Sequence, residues 1–217
     1  MTLALAPHVH LAVLGEDVVL LDTRADSYMC VPDGVALLCP SHDLAAVAPP
    51  DAATAAALAQ AGLVLRAGEA VPRPRPRRPA ADVGGPTGTP LTLRDAVRLA
   101  GALWDLAWRY RGRPLREILL YVSRVDVRPA DEHTAAETLR LAGLFNRVVV
   151  WLPIPRKCLV RSFVLLRFLQ RSGLNAHWVF GVTTWPFRAH CWLQLADTAL
   201  DDHAERIVGY EPILAVG

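Results

Sequence analysis

Residues 158–202 read CLVRSFVLLRFLQRSGLNAHWVFGVTTWPFRAHCWLQLADTALDD, and this stretch decides the predicted fold. It begins with Cys158 at the head of an apolar run that stops at Gly173. Pro153 and Pro155 come just before it, and proline resists helix continuation. These features predict a helix that carries Cys158 in its first turn.

That position has the surroundings of a reactive cysteine. The first turn of a helix leaves backbone N–H groups unpaired, and Arg156, Lys157 and Arg161 lie nearby in the sequence. Both features favour the thiolate of Cys158 over its thiol. The alternative is a buried cysteine that packs as a small hydrophobic side chain, which is the usual fate of an isolated cysteine. The helix position alone leaves both interpretations open.

The second half of the stretch is rich in aromatic and β-branched residues, which predicts strands with a turn around Ala196. Side-chain alternation puts His190 on one face of its strand and Cys191 on the other. A hairpin loop with an odd number of residues, centred on Ala196, brings Asp202 opposite His190. A two-residue loop brings Asp201 there instead. The spacing therefore supports a His–Asp pair and leaves the choice between the two aspartates open.

Cysteine, imidazole and carboxylate are the three groups that a thiol hydrolase needs, as nucleophile, proton carrier and orienter of the imidazole. Their order here resembles the signature of the lasso peptide B proteins, in which a C-L-x-R-S helix precedes A-H-x-W, a short turn and an aspartate. Cys158, His190 and Asp202 fall on the three positions of that family's triad. The similarity covers residues 92–217, and it differs at Cys191, where the family more often has alanine.

The resemblance implies a transglutaminase-like, papain-related cysteine peptidase that removes the leader from a ribosomally made lasso peptide precursor. A separate asparagine-synthetase-like cyclase is the implied partner, which would close the macrolactam on the freed core amine. Two other functions remain open from the sequence. The same thioester could be captured by an amine, which would make the protein a thiol acyltransferase, or both domains could serve only as a scaffold that delivers the precursor.

The N-terminal part predicts a small binding domain. Residues 10–31 contain three short apolar stretches separated by turn residues, which predicts a three-stranded meander. Two or three short helices are expected, in GVALLC, HDLAAV and DAATAAALAQAG, the last one capped near Asp51 and ended by Gly62. This pattern is similar to the PqqD-like leader-recognition domain of peptide-modifying systems, which has a winged-helix type of fold.

In PqqD-like domains an extended leader peptide adds a strand beside the third strand and lies against the last helix. The resemblance therefore makes Tyr28, Met29 and Leu58 candidate contacts of the leader peptide. The alternative is that all three belong to a small hydrophobic core. This alternative is the more frequent one for any single apolar residue.

The predicted architecture is α+β with two domains. Residues 1–68 form the leader-recognition domain, and residues 69–90, rich in proline, arginine and glycine, form a linker. Residues 91–217 form the peptidase domain, with helices packed on an antiparallel sheet. Its first helix is expected to be capped by Thr92. Five tryptophans are expected to fill the interface between helices and sheet: Trp104, Trp108, Trp151, Trp178 and Trp192.

Composition narrows the function classes. The chain has 217 residues, 53% of them hydrophobic, and a net charge of +2, too small to predict a nucleic-acid partner. It has no long uninterrupted apolar run, secretion signal or C-x-x-C pair, so we expect a cytoplasmic protein without a membrane span or disulfide framework. No nucleotide-binding motif is present. His8 and His10 lack further ligands at suitable spacing, so no metal and no cofactor is predicted.

Overall fold

The computed structural model of the chain describes residues 2–65, 77–84, 88, 90–125 and 131–217. The chain divides into two compact units. The first unit comprises Met1–Arg75, Gly181–Ala189 and Glu211–Leu214. The second unit comprises Pro76–Phe180, His190–Tyr210 and Ala215–Gly217. Helices and sheets occur together, so the chain has the expected α+β composition.

The first unit contains the three-stranded meander that the sequence predicts. A short strand, β1 (Leu3–Leu5), comes first, and the meander follows as β2 (Val9–Leu14), β3 (Asp17–Asp22) and β4 (Ser27–Val31). Both pairs of neighbouring meander strands are antiparallel. Gly15 adopts a φ of +62° between β2 and β3, a left-handed conformation that glycine adopts without steric cost. Alternating apolar residues and a glycine turn therefore specify this sheet.

Two of the three helices predicted in this unit are present. They are α1 (Gly34–Leu38) and α2 (Ala52–Gln60), and Asp51 caps α2 by accepting a hydrogen bond of 2.7 Å from Thr54 N. Two short strands, β5 (Ala46–Val47) and β6 (Val64–Leu65), flank β1 and pair with it antiparallel.

The helix predicted in HDLAAV is wrong, because part of this segment is the strand β5. Ser41 Oγ accepts from Ala46 N at 3.0 Å and donates to Asp43 at 2.6 Å, and Leu44 has a φ of +55°. Serine and aspartate side chains that bond to nearby backbone offer it an alternative to helix. The turn that they form leads the chain into β5.

The second unit begins with a strand inside the predicted linker, β7 (Ala81–Asp82). It pairs parallel with a later strand through Thr198 and Ala199. The linker prediction therefore differs from the structure at these residues. A segment without an apolar pattern can still form a strand when its backbone hydrogen-bonds to a neighbouring strand. Residues 69–76, 85–87 and 89 of the predicted linker lie outside the described part of the chain.

The helices of the second unit follow the predicted order. They are α3 (Leu93–Asp105), extended by a π-helical turn at Leu106–Tyr110, then α4 (Leu115–Ser123), α5 (Glu132–Val148) and α6 (Cys158–Gln170). As predicted, Thr92 caps α3, in a capping box with Asp95. A single turn of 3-10 helix, Val149–Trp151, follows α5.

A five-stranded sheet completes the fold. Besides β7 it contains β8 (His177–Thr183), β9 (Arg188–Leu195), β10 (Thr198–Ala199) and β11 (Glu211–Val216). A short helix, α7 (Ala204–Ile207), lies between β10 and β11 in the chain. The strand order is β11-β8-β9-β10-β7. β9 and β10 pair antiparallel, and β9 is the strand that carries His190. The sheet thus positions the predicted histidine close to the hairpin that leads to the two aspartates.

The five tryptophans that were expected to fill the interface between helices and sheet divide into two groups, and the prediction is wrong for three of them. Trp178 and Trp192 are fully buried. Trp104, Trp108 and Trp151 are 64%, 62% and 85% exposed. Apolar spacing indicates which face of a helix is apolar, but it does not show whether another element covers that face.

The helix that carries Cys158 is held by a buried ion cluster at its other end. Asp105 of α3 accepts from Arg167 Nε at 2.9 Å and from Arg171 at 3.0 Å and 2.9 Å. Burial raises the pKa of Asp105, but the hydrogen bonds from Arg171 and Arg167 outweigh it and hold the pKa below its usual range. The carboxylate therefore stabilises the fold at neutral pH, and this contribution is lost as the pH falls through the folded-state pKa.

We expect Asp105→Ala to lower the free energy of unfolding by about 3–5 kcal/mol, because it leaves the charge of Arg167 buried and uncompensated. Urea denaturation followed by circular dichroism measures this change. Glu117→Gln is the matched control, since its ion pair with Arg113 is exposed and pairs of that kind contribute about 0–1 kcal/mol. Equal stability losses in the two variants would rule out the cluster as an anchor.

Candidate active site

Cys158 is the first residue of α6, as the sequence predicts. Lys157 precedes it in an extended conformation, and the Cys158 side chain is half-buried. The N–H groups of the first helical turn have no partners within the helix, so the sulfur lies at the positive end of the helix dipole. This is a place where a thiolate is favoured.

His190 of β9 contacts Asp202 directly. The His190 Nε2 and Asp202 Oδ2 atoms are 2.6 Å apart, and the two side chains are 16% and 10% exposed. Asp202 also accepts from His203 N at 2.8 Å and lies 3.3 Å from Arg206. The ring of Tyr210 lies 5.3 Å from the imidazole. The imidazole is therefore held both by a carboxylate and by an aromatic neighbour.

The side chains of Cys158 and His190 are joined by a hydrogen bond. Because Nε2 is engaged by Asp202, Nδ1 is the ring nitrogen that remains for the sulfur. Hydrogen bonds from Cys191 and His190 lower the pKa of Cys158 to about 4, against the opposing effect of burial. Burial disfavours the charged ring, but the hydrogen bonds with Asp202 and Cys158 outweigh it and raise the pKa of His190 to about 9. Between these values the pair exists as thiolate and imidazolium.

Asp202, and not Asp201, contacts the histidine, and of the two loop lengths that the sequence left open the structure has the two-residue loop. β9 and β10 are joined by the two-residue loop Ala196-Asp197, which was expected to bring Asp201 to His190. The expectation is wrong because the register pairs Ala199 with Gln194, which if continued would bring residue 203 and not Asp201 opposite His190, and because β10 ends at Ala199. Asp201 instead accepts hydrogen bonds from Ser162 and from the backbone of Leu193.

Cys191 also contacts the nucleophile, which the alternation of side chains along the strand did not predict. Its thiol and its backbone N–H both hydrogen-bond to the sulfur of Cys158. The hydrogen bond with Cys158, together with burial, raises the pKa of Cys191 well above its usual value, so Cys191 stays protonated and acts as donor. Neighbouring residues of β9, His190 and Cys191, therefore both hydrogen-bond to the first residue of α6.

We expect Cys191→Ala to raise the pKa of Cys158 by about one to two units, because a hydrogen bond to a charged group contributes about 1.5–3 kcal/mol. The rate of Cys158 alkylation by iodoacetamide against pH, read by peptide mass mapping, measures this shift. Cys39→Ala, which removes an exposed thiol of the first unit, is the control. An unchanged alkylation midpoint in Cys191→Ala would show that its thiol does not hold the thiolate.

The three side chains open onto a cleft of about 850 Å³ within the second unit. One part of its lining is apolar, with Val149, Val150, Leu152 and Ile154. The remaining part is charged or polar and includes Asp82, Asn146, Arg161, Asp201, His203 and Arg206. A cleft lined by both apolar and polar side chains suits an extended peptide, whose side chains alternate while its backbone needs hydrogen-bond partners.

Sequence reasoning missed three polar residues of the cleft lining, Asp82, Asn146 and Arg206. Asp82 lies in the proline- and glycine-rich segment, where no periodic pattern marks it, and it accepts from Ala204 N at 3.2 Å. Asn146 accepts from Arg161 at 2.9 Å and donates to Leu200 O at 2.8 Å. These three contacts join residues that are distant in the chain, and no local signal in the sequence could have indicated them.

The candidate leader contacts lie on two faces of the meander. β4 pairs Met29 with Leu20, and Leu20 belongs to the core against which Leu58 of α2 packs. Met29 and Leu58 therefore share one face of the sheet. Tyr28 points to the other face, where its ring lies 5.6 Å from Phe187. Met29 is 50% exposed, whereas Leu58 is partly buried.

Within the described residues, no group of three or more His, Cys, Asp or Glu side chains is arranged to hold a metal ion. The helices of this part of the chain are also too short or too polar to cross a membrane.

Comparison with known proteins identifies the family. A family model described as the transglutaminase-like superfamily matches residues 100–215, which is more than half of the chain. The chain belongs to the transglutaminase-like superfamily. The folds of this superfamily are typically those of cysteine peptidases or acyltransferases. The matched residues include Cys158, His190 and Asp202, which line the cleft.

A curated relative of this transglutaminase-like chain is the microcin J25-processing protein McjB of Escherichia coli. The two are 38% identical over 45 residues, which is 21% of this chain and 22% of the relative. The chain thus matches about a fifth of that protein's length. No solved structure gave a significant match.

Proposed function

We propose that this chain is a cysteine peptidase that removes the leader from a ribosomally made lasso peptide precursor. The observation that carries the proposal is the contact of Cys158, His190 and Asp202 at one end of an open cleft. Membership of the transglutaminase-like superfamily and the partial similarity to a microcin-processing protein support it. The freed core peptide then passes to a separate asparagine-synthetase-like cyclase.

The first half of the reaction forms a thioester. The Cys158 thiolate attacks the carbonyl carbon at the junction between leader and core, and a C–S bond forms while the carbonyl oxygen becomes an oxyanion. The backbone N–H of Cys158, at the mouth of α6, donates to that oxyanion. His190 gives the proton on Nδ1 to the core nitrogen, the C–N bond breaks, and the core leaves with a free amine.

The second half releases the leader. His190, now neutral, takes a proton from a water molecule, and the resulting hydroxide attacks the thioester carbonyl. The C–S bond breaks, the leader leaves as a carboxylic acid, and the thiolate–imidazolium pair is restored. Asp202 keeps the imidazole in the orientation that both steps need, because it holds Nε2 and directs Nδ1 to the sulfur.

The N-terminal unit contributes leader binding in this proposal. β4 lies at the end of the order β2-β3-β4 among the described strands, so a leader segment can add beside it as a further strand. Met29 and Leu58 share the face on which the leader side chains would lie, and Met29 is exposed. Tyr28 is a weaker contact, since it faces Phe187 on the opposite side.

Mass spectrometry on a lasso precursor incubated with the purified chain tests the activity. We expect two products, a leader with a free C-terminal acid and a core with a free N-terminal amine. A leader that retains an added amine would instead indicate acyl transfer. Binding without any cleavage would indicate a precursor-delivery scaffold.

Fluorescence anisotropy with a labelled leader peptide tests the proposed leader binding by the N-terminal unit. Met29→Asp should weaken binding about tenfold or more, because it inserts a charge into an apolar contact. Leu37→Asp changes a similarly exposed apolar residue of α1 and is the matched control. Equal affinities for the two variants would exclude the β4 face as the leader site.

A further inference from the structure

A second aspartate lies beside Asp202, and the proposed mechanism does not use it. Asp201 is 6% exposed, and both of its carboxylate oxygens accept hydrogen bonds. Oδ2 accepts from Ser162 Oγ at 2.6 Å, and Oδ1 accepts from Leu193 N at 2.8 Å. Ser162 is fully buried. A buried carboxylate is costly to desolvate, so a carboxylate at this position calls for an explanation.

The two donors belong to the two elements that carry the reacting groups. Ser162 lies four residues after Cys158 on α6, which puts both side chains on one face of the helix. Leu193 lies three residues after His190 on β9. The next residue in the chain, Asp202, accepts from His190. One carboxylate thus joins the nucleophile helix, the histidine strand and the loop that carries the third residue of the triad.

We propose that Asp201 and Ser162 are positioning residues that hold α6 against β9 and so set the contact between Cys158 and His190. This inference rests on the proposed function, because it assigns these residues to the same thiol chemistry. A hydrogen bond from a hydroxyl to a carboxylate is short and directional, so it fixes the position of the helix along the strand more narrowly than apolar packing does. A displacement of about 1 Å between reacting groups can cost about 100-fold in rate.

The charged and titratable groups around Asp201 come from each element that packs on it. Arg161 faces it from α6, Cys191 from β9 and Asp202 from its own loop. Burial raises the pKa of Asp201 to about 6, although the hydrogen bonds from Ser162 and Leu193 and the charge of Arg161 oppose this. Below that pH the carboxyl group becomes neutral, and the charge-assisted hydrogen bond becomes an ordinary one. We therefore expect an inflection near pH 6 in the activity profile.

Ser162→Ala removes the hydrogen bond between α6 and Asp201 and so tests the positioning role directly. We expect kcat to fall about 10-fold to 100-fold with KM nearly unchanged, because the reacting groups move apart while the cleft still binds peptide. We also expect the pH midpoint of Cys158 alkylation by iodoacetamide to rise, since a weaker contact with His190 stabilises the thiolate less. Ser172→Ala is the matched control. Ser172 lies just beyond the end of α6, and its Oγ donates to Phe168 O of that helix. It should leave both readouts unchanged.

Asp201→Asn is the second variant and keeps the inference testable if Ser162→Ala does not fold. The amide oxygen can accept from Leu193 N and the amide nitrogen can donate to Ser162 Oγ, so both hydrogen bonds survive without the charge. We expect the inflection near pH 6 to disappear and kcat at neutral pH to fall to the low-pH value.

Unchanged kcat and an unchanged alkylation midpoint in Ser162→Ala would overturn the inference. So would an inflection near pH 6 that persists in Asp201→Asn. Alkylation needs no substrate, so these outcomes are separate from a failure of the proposed function, which would appear as absence of leader cleavage by the wild type.

Discussion

Cys158→Ala should abolish leader cleavage, with a fall in kcat/KM of about 10⁴-fold or more, because no other group in the cleft can form the thioester. Cys191 is the nearest alternative thiol, but it is buried, and burial still raises its pKa and favours the protonated form when Cys158 is removed. A protonated thiol is a poor nucleophile. Leader release from a lasso precursor, quantified by liquid chromatography and mass spectrometry, measures the loss.

Two comparisons make the Cys158 result interpretable. Cys39→Ala should cleave at the wild-type rate, since Cys39 is exposed in the first unit and lies outside the cleft lining. Binding of the labelled leader peptide should be retained by Cys158→Ala, because the substitution does not touch the β4 face. Continued cleavage by Cys158→Ala with leader binding intact would remove the thiol from the mechanism.

Asp202→Asn should lower kcat by about 10²-fold to 10⁴-fold, since an amide at this position no longer selects the imidazole orientation that presents Nδ1 to Cys158. It should also lower the pKa of His190 from about 9, because burial disfavours the charged ring and the hydrogen bond with Asp202 is the largest effect that opposes burial. The thiolate–imidazolium pair then persists over a narrower range of pH, because the pKa of His190 sets its upper limit. The alkaline limb of the pH–kcat profile should therefore move to lower pH.

Asp197→Asn is the control for this substitution. Asp197 is an exposed acid in the hairpin loop between β9 and β10, and it does not line the cleft. It should leave kcat and both limbs of the profile unchanged. If Asp202→Asn keeps its alkaline limb near pH 9 and loses less than about tenfold in kcat, the carboxylate does not orient the histidine.

The sequence predicted the helix that carries Cys158 because its signals are local. Prolines precede it, an apolar run follows it and a glycine ends it, and the observed α6 begins at Cys158. The meander strands were predictable for the same reason, since alternation and turn residues act over a few positions. The family resemblance added the identity of the aspartate, which spacing alone left open.

The sequence could not show which contacts form between distant segments. Asp202 contacts His190 from the loop that follows β10, a strand of two residues that pairs with both β9 and β7. Such pairing between distant segments leaves no local pattern in the sequence. Asp82 enters the cleft lining through that same pairing, from a segment predicted as linker. The exposure of Trp104 and Trp108 depends likewise on which helices pack on α3, and no periodic pattern encodes it.

The most direct test of the account is a titration of the Cys158 thiolate in the absence of substrate. The ultraviolet absorbance of the wild type minus that of Cys158→Ala, followed against pH, reports this one sulfur. The account predicts a midpoint near pH 4, because the hydrogen bonds from Cys191 and His190 stabilise the thiolate. A midpoint at about 8.5, the ordinary value of a free cysteine, would contradict the thiolate–imidazolium pair on which the proposed activity depends.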